Sequence, residues 1–187
     1  PRIWNNLLSS QPLCFNLFGE LYLDLNLATI YFKKLFPELV EKIVKIDFEF
    51  SSKRNSPDNS AFDVYVEYLN KNNAKCFFGI EVKYQEKLTE ESKLKASNTF
   101  ESHKTDYVKM TKDCNYFKED ALEIINKVPL SQIWRDHLLS FNMSNDSING
   151  SFIFLYPFDN DECKEAVNEY KKQLKSSNEE QSHFHER

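Results

Sequence analysis

A chain of 187 residues suits one compact domain at about 150 residues per domain, and 41% hydrophobic content with 16 Phe and 9 Tyr supplies a real core. The net charge of −5 excludes a polybasic nucleic-acid binder, and no apolar run approaches the roughly 18 residues of a membrane span. Only three glycines occur, Gly19, Gly79 and Gly150, where usage of about 7% would give roughly thirteen, so collagen-like and Gly-rich phosphate-loop designs are excluded. Cys14, Cys76, Cys114 and Cys163 match no zinc spacing and read as reduced thiols in a cytoplasmic setting. The chain starts at Pro1 without a signal-peptide pattern and reads as a fragment lacking an N-terminal segment.

The predicted elements begin with an amphipathic helix. Ser9 and Ser10 suit its cap, Pro12 falls in its first turn, and Leu13, Leu17, Phe18, Leu21 and Leu25 recur at helical spacing. The pattern restarts near Asn26 and stops before Pro37. Val44, Ile46, Phe48 and Phe50 then alternate with Lys45, Asp47 and Glu49, as in a half-buried strand. Residues 51–60 are polar and contain Pro57, which predicts a loop. A second strand is expected over 62–69, an asparagine turn over 70–73, and a third strand over 75–84. From 89 to about 143 the pattern is helical, with apolar stripes at 121–125 and 133–139, and Pro129 opening the latter helix. Residues 142–150 read as a loop, 152–156 as a central strand covered on both faces, and 161–174 as a last helix. Residues 1–175 are thus expected to form one domain and 176–187 a frayed polar tail. This order points to an α/β fold with a central mixed sheet flanked by helices.

The third strand carries the chemistry. Alternation places Cys76, Phe78, Ile80 and Val82 on a core face and Gly79, Glu81 and Lys83 on the other, the two charges about 6.6 Å apart along the strand. Charges in so apolar a strand are costly unless paired or bound. The hairpin brings Asp63, near the start of the second strand, beside Glu81, so that two carboxylates and a lysine converge. Glu-x-Lys also occurs at Glu91/Lys93, Glu162/Lys164 and Glu169/Lys171, but those pairs sit in polar or helical stretches.

These residues resemble the PD-(D/E)XK nuclease superfamily, with Asp63 as the motif aspartate and Glu81-Val82-Lys83 as the (D/E)XK element. Glu20 matches the acid that many members carry on the opening helix. The run from Ser9 to Glu20, SSQPLCFNLFGE, looks like the opening of a bacterial restriction-endonuclease-like branch. The resemblance implies a restriction-endonuclease-like core in αβββαβ order and Mg²⁺-dependent hydrolysis of DNA, with Mn²⁺ as a substitute. It implies Asp63, Glu81 and the Val82 backbone carbonyl as metal ligands, Glu20 as a ligand through water, and Lys83 assisting the attacking water. Asp58, in a literal Pro57-Asp58 pair, is the alternative to Asp63, although it falls in a loop.

Gln132 and Arg135 stand three apart on one helix face, where the resemblance implies phosphate contacts because related nucleases often carry a Gln on a helix after the motif; Lys53 and Arg54, in the loop before Asp63, are further candidate DNA contacts. Trp134 and His137 read as packing, and the His183/His185 pair has little claim to a metal. Residues 83–112 hold seven lysines against five acids, so the global charge does not forbid DNA. The alternative reading is a catalytically inactive nuclease-fold module that binds nucleic acid or protein. A homodimer is a further expectation, since cutting both strands calls for two sites.

Overall fold

The computed structural model describes residues 10–52, 55–85, 88, 93–144 and 148–187. It opens with α1 (Ser10–Leu23) and α2 (Leu25–Leu35), which meet at Asp24. The Asp24 carboxylate caps α2 by accepting from the amides of Asn26 and Leu27. Pro12, Cys14, Phe18 and Leu21 form the inward side of α1, while Leu17, predicted to share that side, is exposed.

β1 (Lys42–Ser51), β2 (Ala61–Leu69) and β3 (Lys75–Val82) form an antiparallel meander. A bulge between Ile43 and Lys45 turns Ile43 inward and leaves Val44 exposed, against simple alternation. The turn after β2 closes on asparagine, with Asn70 Oδ1 accepting from the amides of Asn72 and Ala74, and Asn73 at φ 59°. The chain between β3 and β4 carries α3 (Lys93–Ser102), α4 (Lys104–Asp113), α5 (Leu122–Ile125) and α6 (Ser131–Ser144). Pro129 was expected to open α6; it sits instead in the preceding turn, after a cis Val128–Pro129 bond. β4 (Asn149–Leu155) then pairs with β3 in parallel, the crossover that the intervening helices permit, and α7 (Asp161–Gln173) follows.

Residues 176–187, expected as a frayed tail, carry α8 (Glu179–Ser182) and β5 (Phe184–Glu186). β5 pairs with β4 in parallel, so the sheet runs β1-β2-β3-β4-β5. Phe184 and His185 are buried there, and the strand covers what would be the open edge of β4.

Both faces of the sheet are dry. On one side α1 and α2 pack on Ile46, Val64, Val66, Phe78 and Ile80. On the other, α4, α6 and α7 enclose Phe77, Trp134, Phe152, Phe154 and Tyr170. Two glycines answer to this packing. The Phe62 ring fills the space that a Cβ on Gly79 would need, and the Phe77 ring does the same at Gly150, which lies in β4 and not in a turn.

Candidate active site

The site forms where the first three strands stop behaving as a regular ladder. Phe48 packs with the α1/α2 side of the sheet and Phe50 with the α6 side, so the face changes at Glu49, whose φ of 51° is left-handed. β2 changes face at the opposite position: Val64 belongs to the α1/α2 side and Phe62 to the α6 side, on either side of Asp63. Glu49 and Asp63 are thus the cross-strand pair bracketed by Phe48↔Val64 and Phe50↔Phe62. The β2/β3 ladder ends one residue later, at Val64↔Ile80. Beyond it the Val82 amide donates to the Asp63 carboxylate, Oδ2 at 2.8 Å, in place of a backbone partner. It is the amide of Val82, not its carbonyl, that touches an acid of the site.

Glu81 and Lys83 lie on the same strand end. Lys83 Nζ is 2.7 Å from Glu81 Oε1, and both side chains are largely buried. The Gln132 amide, from the first turn of α6, donates to the same Glu81 oxygen at 2.5 Å. This bears on the prediction for Gln132: the residue reaches the site, but through Glu81. Asp63 Oδ1 and Glu81 Oε2 have no hydrogen-bond partner among the described residues.

Burial, seconded by the Glu81 charge, pushes the Asp63 carboxyl up to about 8, although the Val82 amide and Lys83 work in the opposite direction. Glu49 adds to the upward push. For Lys83, burial alone would favour the neutral amine, but the Glu81 ion pair and the charges of Asp63 and Asp136 hold it as an ammonium well above its usual range.

Asp136 is the acid that sequence reasoning missed. It sits one helical turn after Gln132, so the two share a face of α6. It is buried, its Oδ2 has no partner among the described residues, and burial followed by the Glu81 charge pushes its carboxyl well up. The i, i+4 spacing from Gln132 is the signal that could have found it.

The other candidates divide. Arg135 is committed to Asp58, with Nε 3.3 Å from Oδ2, and both are largely buried. Burial would raise the Asp58 carboxyl, yet Ser60 and Ser56 hydroxyls and the Arg135 guanidinium hold it below its usual range. Asp58 thus anchors the 56–60 loop to α6. Glu20 is exposed on α1, and its carboxylate has no hydrogen bond or ion pair among the described residues. Cys14, also on α1, is buried near Asp63 and Glu81, and burial with those charges keeps its thiol fully protonated. Lys53 and Arg54 lie outside the described residues. His137 packs as expected, with Nδ1 2.9 Å from the Tyr170 hydroxyl and Nε2 2.8 Å from the Ser182 carbonyl. His183 and His185 are spent on Ser151 and Glu179.

The donor set bears on which cation could sit here. Among the described residues no three His, Cys, Asp or Glu side chains are grouped as ready metal ligands. A zinc-type cage is not formed, and the nearby thiol is protonated. Two adjacent carboxylates, each with one uncommitted oxygen, suit a hard cation that keeps most of its waters, as Mg²⁺ does.

A family model described as the PD-(D/E)XK nuclease superfamily matches residues 1–186. No curated protein and no solved structure matches the chain.

Proposed function

The chain belongs to the PD-(D/E)XK nuclease superfamily, and on that premise we propose that it is a divalent-metal-dependent deoxyribonuclease centred on Asp63, Glu81 and Lys83. One observation carries the reading: two carboxyl groups from neighbouring strands share a largely buried site with a single lysine, and burial together with the Glu81 charge keeps the Asp63 carboxyl protonated up to about 8. Such a pocket is short of one cation.

Asp63 and Glu81 would hold Mg²⁺, or Mn²⁺ in its place, through their uncommitted oxygens, with the Val82 carbonyl and a water-linked Glu20 completing the set. The ion would supply charge neutralisation at the scissile phosphate and activation of water. Lys83 enters as an ammonium, so it donates hydrogen bonds to the attacking water or to the phosphate oxygens and does not serve as a free base. Gln132 fixes the rotamer of Glu81 by donating to Oε1, which leaves Oε2 directed away from the helix contact.

Cleavage of duplex and single-stranded DNA with Mg²⁺ or Mn²⁺ tests this. Asp63→Asn, Glu81→Gln and Lys83→Met should each lower the rate by about 10²-fold or more, the usual scale for removing a charged group that acts in the transition state. Wild-type rates in all three would overturn the assignment. DNA binding by the unaltered protein without cleavage under any divalent ion would identify the inactive binding module.

A further inference from the structure

Among the described residues, eight of the eleven exposed large hydrophobic side chains lie on α1 and α2, a concentration that single scattered surface residues do not produce. The densest part is a stripe on α2. Leu27, Ile30 and Tyr31 recur on it at i, i+3 and i+4, Leu35 widens it, and Leu23, the last residue of α1, adjoins its N-terminal end. Leu23 is 83% exposed and Ile30 69%. The opposite side of the helix, Ala28 and Phe32, is already buried against the sheet, so the stripe faces away from the protein's own core.

We propose that this stripe is an isologous dimer interface in which α2 packs antiparallel to α2 of a second copy of the chain. The inference does not depend on the nuclease reading. Two features on the helix select a second copy as the occupant. The first is area. The five side chains expose on the order of 500 Å² of apolar surface; homodimer interfaces are about 65% apolar, so a polar rim brings the patch to roughly 800 Å², one partner's share of a standard interface. The second is charge. Asp24 caps the start of α2 and Lys34 lies in its last turn, an exposed lysine with no ion pair among the described residues, whereas Lys33 is taken by Glu41. A two-fold axis between positions 28 and 29 sets Leu27 of one copy against Ile30 of the other and brings each Lys34 to the Asp24 end of its partner. A self-complementary patch of this kind closes as a dimer and does not propagate.

Sedimentation velocity of the whole chain from about 1 to 100 µM tests the proposal. A reversible dimer is expected, with Ile30→Glu monomeric over the whole range and Lys34→Glu weakening association about three- to tenfold. Phe158→Ser, which alters an equally exposed ring elsewhere, should leave the dimer intact. Because these side chains are exposed, the melting curves of the monomeric variants should match that of wild type diluted below its dissociation constant. A wild type that stays monomeric, a dimer that survives Ile30→Glu, or a dimer equally lost in Phe158→Ser would each overturn the interface.

Discussion

Asp63 is a carboxyl group that the fold partly buries and sets beside a second acid, so without a cation it holds its proton up to about 8. In an unfolded chain an aspartate ionises near pH 4. The folded state therefore binds more protons than the unfolded state between those values, and stability is lost as pH rises through them. His137 contributes in the other direction. Burial pushes it down to about 3, so its stabilisation is present above pH 6.5 and lost only below that. The window from about pH 6.5 to 8.5 isolates the acids. In EDTA the melting temperature should fall by several degrees across it, at about 2–4 °C per kcal/mol for a domain of this size. Asp63→Asn should flatten the fall, and an unchanged slope in that variant would rule Asp63 out as its source. A bound cation must displace the same proton, so Mn²⁺ affinity measured by calorimetry should rise up to about tenfold per pH unit below about pH 8. Affinity that does not vary between pH 6 and 8 would contradict the shift.

Elements determine where these residues stand. β2 changes face at Asp63 because Phe62 lies across β3, and Phe62 can lie there because position 79 has no Cβ. Gly79→Ala should cost about 1–3 kcal/mol by overpacking and displace Phe62, and with it the neighbouring carboxylate. Cleavage should fall further than the stability loss alone explains; a variant with wild-type rate and unaltered melting would contradict the packing account. β5 is the second case. Phe184 is buried beside Phe152, His137 and Tyr170, and the Ser182 carbonyl accepts from His137 Nε2, which makes the C-terminal residues part of the core. Phe184→Ala should cost about 3 kcal/mol or more, roughly 6–12 °C of melting temperature. A loss within about 1 °C would mean that the terminal strand is not docked in solution.

At the scale of the whole molecule, charge decides how a nucleic acid can approach. The net charge is −5, and the charges of Glu81, Asp63 and Asp136 act on the one lysine of the site while Glu49 adds to the negative field at Asp63. Phosphate should be repelled until a cation is bound. Duplex binding is therefore expected to be at least tenfold tighter with Ca²⁺, which holds the complex without the Mg²⁺ reaction, than in EDTA, and to weaken steeply with salt. Equal affinity in both buffers would place the DNA elsewhere on the surface.

The sequence alone determined the order of the main elements as far as α7, and the acid–x–lysine strand. Those features are written in local periodicity: β-strand alternation, helical spacing, and a charged pair inside an apolar run. The family resemblance singled out Gln132 as a candidate DNA contact, and the structure shows its amide donating to Glu81. Only the tertiary structure decided that Asp58 holds Arg135, that Asp136 joins the acids, and that residues 176–187 complete the sheet. Each of those outcomes depends on which residues distant in the sequence the fold brings against one another. Short-range periodicity carries no record of that distance, because the same polar residue scans alike on a solvated face and against a buried partner.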